Sequence, residues 1–168
     1  VSAFVWQTPF LQPIAADRQS EVVLDNVSVP ADALLGKKNA GWSTIEKVLD
    51  WGAVGKCAEM VGGGQVVLDM TVEYAKEQFG RPIGSFQAVQ HHCANMAIDV
   101  ECCRYRAYQA AWRLAEGLPA ATKVSMAKAW VSEAYGRVCH LAHQSHGAIG
   151  FTVEHNLQLY SRRAKALE

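Results

Sequence analysis

The sequence predicts a mainly α fold, an antiparallel four-helix bundle preceded by a short β segment. Three observations predict it. Beyond residue 40, apolar residues recur at steps of three and four in long stretches. The breaks between those stretches are short and carry glycine and proline. Before residue 37 the texture is β-branched and partly alternating instead.

In chain order, Glu21–Pro30 reads as extended or strand structure, interrupted at Asp25-Asn26 and ended by a proline. Leu34-Leu35-Gly36 closes that section with a turn. Val54, Cys57, Val61, Gly64, Leu68, Thr71 and Ala75 form one face of the first helix. Gly62, Gly63 and Gly64 each weaken a helix by about 1 kcal/mol relative to alanine, which close approach of a neighbouring backbone would justify. Phe79-Gly80-Arg81-Pro82-Ile83-Gly84 ends this helix, and Ser85 is placed to cap the next. Val89, Cys93, Met96, Val100, Cys103, Ala107 and Ala110 line the second helix, which stops at Gly117-Leu118-Pro119. Val124, Ala127, Val131, Ala134, Val138 and Leu141 mark a third, stopped at Gly147 and Gly150, and a shorter fourth runs from about Glu154. Long helices with short breaks pack up-down-up-down.

Composition narrows the function classes. Half of the 168 residues are apolar and 19% are charged, so the chain can bury a core. Sixteen basic residues balance sixteen acidic ones, which argues against nucleic-acid binding. No apolar run approaches the roughly 20 residues of a membrane span. Five cysteines without a C-x-x-C read as reduced, mostly buried thiols in a reducing compartment. The chain opens on Val1 and closes on RRAKALE without a helix stop, so both ends read as cut from something longer.

Metal and nucleophile chemistry find little support. His140, His143 and His146 spread over roughly 120° of a helix and do not converge on one ion. No Glu-x-x-His pair occurs on the long helices, and Ser145 and His146 diverge as neighbours. Two breaks carry more. Phe79–Gln87 and His143–Phe151 each combine exposed glycine backbone with an aromatic and an amide side chain. Such a break is either an ordinary helix–helix turn or a place where a flat or anionic ligand meets backbone N–H groups.

Four ordered strings resolve the choice. FGRPIGSFQAVQHHCANMAIDVE resembles the helix-linking signature of acyl-CoA dehydrogenases, and HQSHGAIGFTVEHNLQLYSRRAKA resembles the family's second signature. EVVLDNVSVPADALLG resembles the end of its middle β-domain, and LDWGAVGKCAEMVGGGQVVLDMTVEYAK the first helix of its C-terminal bundle. The resemblance covers residues 18–168. It implies a β-domain remnant over 1–37 and a C-terminal helical bundle over 38–168.

It also implies an FAD-dependent oxidoreductase that dehydrogenates an acyl-CoA thioester. A carboxylate would remove the α-proton and electrons would pass to an electron-transfer flavoprotein. The assembly would be a homo- or hetero-oligomer, dimer or tetramer, in the cytoplasm or the mitochondrial matrix. Phe79, Phe86 and Gln87 fall on positions that contact the adenine half and pyrophosphate of FAD. Gln144, Ser145, His146, Gly147 and Ala148 fall on the stretch that meets FAD from a neighbouring subunit, with Ala148 where a second glycine is usual. Asp50 falls on an acyl-CoA-contacting aspartate.

Three departures accompany these matches. Two residues are missing before Phe79, including the arginine that grips FAD phosphate, and Lys76 is the nearby cation. Ala53 replaces the substrate-side arginine. Counted from Arg162-Arg163-Ala164-Lys165, the family's catalytic glutamate position lies beyond Glu168, and an alternative base position falls on Gly52, so the catalytic residue is unassigned. The missing arginines also fit a second reading, a non-catalytic structural subunit that completes the FAD interface of a heteromeric dehydrogenase.

Overall fold

The computed structural model of the chain describes residues 26–76 and 82–168. It contains four α-helices: α1 Trp42–Lys76, α2 Gln87–Ala115, α3 Ala121–His146 and α4 Leu157–Leu167. Short 3-10 turns at Ala31–Ala33, Ile83–Ser85 and Gly147–Phe151 connect or precede them. Among the described residues there is no strand. Glu21–Asp25 of the expected extended segment lie outside those residues. Val27–Val29 have no regular structure, since among the described residues they have no neighbouring strand to complete a ladder.

Cross-helix contacts fix the directions. Arg104 Nη2 of α2 donates to Gln65 Oε1 of α1 at 2.6 Å, and a Cβ on Gly64 would touch Val100. Arg137 of α3 pairs bidentately with Asp99 of α2 at 2.8 and 3.1 Å. Tyr135 of α3 lies against Gly63 and Tyr74 of α1 meets His146 of α3, so α1 and α3 run parallel with α2 against them. Ser161 of α4 reaches His143 while Leu167 reaches Lys128, so α4 descends along α3. The bundle is therefore up-down-up-down, as the apolar stripes require.

The core is small and aliphatic: Cys57, Met60 and Val67 of α1, Met96 and Val100 of α2, Val131 and Val138 of α3, and Leu157 of α4. On α1 the buried face runs Val54, Cys57, Met60, Gly64, Val67, Thr71, Ala75. Val61 and Leu68, expected inside, are half-buried at its flank. Met60 and Val67 lie inside in their place, where α1 packs against both α2 and α3. Val89 and Cys93 of α2 and Leu141 of α3 are likewise only half-buried.

Two connections deserve explanation because they set the ends of the bundle. Gly117 (φ +64°) ends α2: its N–H reaches Leu114 O, and Leu118 N–H reaches Arg113 O at 2.9 Å. That is a Schellman closure, which needs a left-handed residue at this position. Arg113 Nε then donates to Pro119 O at 2.8 Å. Ser85, expected to cap α2, does not. Its hydroxyl donates back to Pro82 O at 2.7 Å, and the cap residue is Phe86, without a side-chain cap. The hydroxyl takes the nearer carbonyl inside the Ile83–Ser85 turn. The fourth helix begins at Leu157 and not at Glu154, because residues up to Asn156 are turn.

All five cysteines are unpaired, with Cys57, Cys103 and Cys139 buried. Among the described residues no helix is long and apolar enough to cross a membrane.

Candidate functional site

The end of α1, the start of α2, the end of α3 and the start of α4 share one end of the bundle. Residues 82–87 of the first expected ligand-bearing turn and the whole of the second therefore lie there. Phe79 lies outside the described residues. Phe86 is 61% exposed and Gln87 opens α2 at the surface. The first bond into this helix is Gln90 N–H to Phe86 O, so the N–H groups of the preceding three residues point out of the helix end. The first turn of α2 carries no acidic residue. A 29-residue helix presenting bare donors beside an exposed aromatic suits an anion attached to a flat ring. Lys76 at the end of α1 is paired with Glu73, three residues back on the same helix.

The second turn divides into outward and inward residues. Gln144, Gly147 and Ala148 are exposed. Gly147 has φ +67° and ψ −143°, a region essentially closed to other residues, and a Cβ there would meet nothing within 4 Å. Gln144 Nε2 lies 3.3 Å from His140 Nε2. Ser145 is half-buried; its hydroxyl donates to Leu141 O at 2.9 Å and lies 3.3 Å from His92 Nδ1 of α2. His146 is buried, its ring stacked on Tyr74 at 4.3 Å and its Nδ1–H donating to Ala142 O at 2.8 Å. So this stretch offers a ligand one amide and exposed glycine-type backbone, and keeps its histidine side chain inside.

A histidine cluster backs this turn, and spacing alone did not reveal it. His143 is buried and stacks on Phe151 at 4.3 Å, and His155 meets His146 edge-on at 4.8 Å. Extending the buried stripe of α3 past Ala142 by four residues lands on His146, which is the signal that could have found it. Burial, reinforced by the neighbouring imidazoles, holds both His143 and His146 below the ordinary histidine range. Among the described residues, no group of three histidine, cysteine or acidic side chains is placed to hold a metal ion.

Asp50 lies elsewhere. It lines a cavity of about 650 Å³ with Leu49 and Ala53 of α1, Lys128, Ser132 and Glu133 of α3, and Glu168. Lys128 is committed within it. Its ammonium donates to Ser132 Oγ at 2.7 Å, Leu167 O at 2.7 Å and Glu168 O at 3.1 Å, closing the end of α4. Ala53 forms wall at the position where the resemblance places a substrate-side arginine. From Asp50 to Lys76 is 26 residues of one helix, about 40 Å at 1.5 Å per residue.

Residues 39–168 match the family described as acyl-CoA dehydrogenase, C-terminal domain. The chain belongs to the acyl-CoA dehydrogenase family. It is 36% identical to a probable acyl-CoA dehydrogenase, YngJ, of Bacillus subtilis, over 92% of this chain and 41% of that protein. It is also 36% identical to the caffeyl-CoA reductase-Etf complex subunit CarC of Acetobacterium woodii, over 83% of this chain and 37% of that one. Butyryl-CoA dehydrogenase from Megasphaera elsdenii superposes with a TM-score of 0.87 at 30% identity, over 97% of this chain and 43% of that chain. The chain thus spans about two-fifths of the length of these relatives. The family is one of FAD-dependent oxidoreductases, and the described residues of this acyl-CoA dehydrogenase bundle fit that cofactor. They combine an exposed aromatic, an amide at a bare helix end and a glycine turn open to close approach.

Proposed function

We propose that this chain is the C-terminal bundle of an FAD-dependent enzyme that dehydrogenates an acyl-CoA thioester, with residues 1–37 closing a β-domain. The observation that carries the reading is the segregation of the two turns to one end of the bundle and of the Asp50 cavity to the other. A reaction requires atoms within about 3.5 Å of one another. Two features about 40 Å apart on one helix cannot touch the same reacting atoms, so the turns and Asp50 of one chain meet different parts of the ligands or different centres.

In this reading the Phe79–Gln87 turn of one chain and the Gln144–Ala148 turn of a second hold one FAD. Phe86 packs on the adenine half, and the N-terminus of α2 with Gln87 receives the pyrophosphate. Gln144 donates an amide hydrogen bond, and Gly147 with Ala148 lets backbone approach. Bound FAD supplies a hydride acceptor. Asp50 contacts the acyl-CoA at the cavity wall, where Leu49, Ala53 and Val124 offer apolar surface to the acyl group. Electrons would leave to an electron-transfer flavoprotein, as the Etf-complex membership of CarC suggests by similarity. Five unpaired thiols fit a reducing compartment, the cytoplasm or the mitochondrial matrix.

One observation favours a second reading. Ala53 leaves the cavity wall without the cation that the family's substrate-side arginine provides. A partner subunit that completes the flavin interface without turning over substrate has no need of that cation. Flavin occupancy of the intact protein tests the shared site: it falls as the oligomer is diluted to monomers. A dissociated monomer that keeps FAD with undiminished affinity refutes it. Anaerobic flavin bleaching by acyl-CoA thioesters then separates the catalytic reading from the structural one.

A further inference from the structure

We propose that His143 and His146 are positioning residues for the Gln144–Ala148 turn, and that proton uptake by this pair, beside His155, releases the turn. The proposal rests on the assignment of that turn to FAD.

Hydrogen placement on the two rings fixes what each can bind. With the Ser161 hydroxyl donating to Leu157 O at 3.2 Å, its oxygen is open to His143 Nε2–H at 2.5 Å, and this is the tautomer we assign. That leaves the lone pair of His143 on Nδ1, which is buried without a partner. Gly150 lies directly against it: a Cβ on that glycine would come within 3.1 Å of Nδ1. His146 is fixed the other way round, because a carbonyl only accepts. Its Nδ1–H donates to Ala142 O, and Nε2 keeps the lone pair.

These two rings fasten the turn at both ends. His146 stacks on Tyr74, whose hydroxyl donates to the His146 carbonyl at 3.3 Å, just where α3 gives way to Gly147. His143 stacks on Phe151, the last residue of the 3-10 turn, and its hydrogen bond ties α3 to α4. With His143 and His146 held inward, Gln144 faces outward at about 100° per residue, and Gly147 and Ala148, just past the helix end, are exposed beside it. The rings thus set the direction of the groups assigned to the cofactor.

A proton changes this balance. On His143 Nδ1 it creates a buried N–H aimed at Gly150 backbone with nothing to accept it, which is costly. On His146 Nε2 it places a cation beside the imidazoles of His155 and His143. The titratable groups around the pair are Tyr74 of α1, His92 of α2 through Ser145, Cys139 and His140 of α3, and His155 of the turn. Ser161 faces it from α4, and the charged sequence neighbours of His155 and Ser161, Glu154 and Arg162, are exposed. Both histidines are therefore neutral in the closed turn and take up protons as it opens. The turn holds fully above the ordinary histidine value of 6.5 and loosens as pH falls below it.

The test uses the intact protein with added FAD between pH 8 and pH 5.5. Two quantities are read: FAD affinity, and amide hydrogen exchange over residues 144–151 corrected for its intrinsic pH dependence. Below pH 6.5 affinity should weaken by up to about tenfold per pH unit for each proton taken up. Exchange of the turn should rise in step, while the middle of α3 stays protected. The double variant His143→Phe/His146→Phe keeps both rings and cannot be protonated. It should lose affinity several-fold at pH 7.5 and show flat profiles for both quantities. Turn exchange in the wild type that ignores pH overturns the proposal, and so does a double variant with the wild-type slope. If that variant does not fold, the wild-type exchange profile alone decides. If the wild type binds no FAD at pH 7.5, the flavin assignment fails, while the exchange profile still decides whether the histidines hold the turn.

Discussion

Two adjacent glycines on α1 should respond oppositely to the same substitution. A Cβ on Gly63 would lie 2.5 Å from Tyr135 Oη and 2.9 Å from Cζ, while a Cβ on Gly62 would meet nothing within 4 Å. Both residues sit inside the 35-residue helix α1, so alanine gains about 1 kcal/mol of helix propensity at either. At Gly62 that gain stands alone, and the variant should be more stable than the parent by about that amount. At Gly63 the Tyr135 ring must move, and it is only 3% exposed. Overpacking of this kind costs about 1–3 kcal/mol, which cancels or exceeds the propensity gain. Propensity drops out of the difference between the two variants, leaving the close-approach cost of about 1–3 kcal/mol. At roughly 2–4 °C per kcal/mol for a chain of this size, thermal unfolding of the two variants side by side resolves it. If Gly63→Ala is as stable as Gly62→Ala, Tyr135 is not packed against α1 as described.

Thiol chemistry provides another check. Burial pushes Cys103 and Cys139 up to about 12, and Cys57 is buried and raised for the same reason, so these three should resist alkylation at pH 8 in the folded protein. Mass spectrometry after brief labelling should find modification first at the half-buried Cys102, and early labelling of Cys139 would contradict the α3–α4 packing. Acid stability gives a third prediction. Arg163 Nε binds Glu59 Oε1 at 2.5 Å and, foremost among the causes, holds that carboxyl below 4.5. The pair's contribution is thus complete above that pH and lost as pH falls through the lowered value. Glu59→Gln should flatten this part of the acid unfolding curve, and an unchanged curve would show that the α1–α4 pair does not form in solution.

Much of this bundle was legible because its helices bury one stripe each and end at glycine or proline. Val54 through Ala75, Val89 through Ala110 and Val124 through Leu141 announce three helices by spacing alone. What spacing misses is where a stripe meets two neighbours at once, and so Met60 and Val67 lie inside where Val61 and Leu68 were expected. The Ser85 cap failed for a local reason: Ser85 belongs to the preceding 3-10 turn, where its hydroxyl donates to Pro82 O, and the cap position falls on Phe86. The candidate site was legible only through resemblance. Composition cannot say that Gln144 faces outward and His146 inward, because that division depends on Tyr74, far back in the chain, and on how α4 brings Ser161 and Leu157 against the turn. The Asp50 cavity likewise needs α4 folded back on α3, with Lys128 closing its end.

The central claim, that one FAD is held by the Phe79–Gln87 turn of one chain and the Gln144–Ala148 turn of another, is tested most directly by hybrid oligomers. Intact protein carrying Gln87→Ala is mixed with protein carrying Gln144→Ala, subunits are exchanged, and tightly bound FAD is counted per chain. In a mixed pair with shared sites, one site collects both substitutions and the other collects neither. Each variant alone should retain FAD weakly, and mixing should restore wild-type affinity at one site in every hybrid pair. If mixing restores no tight site, the two glutamines serve FAD within a single chain or do not serve it at all, and the shared-site account is wrong.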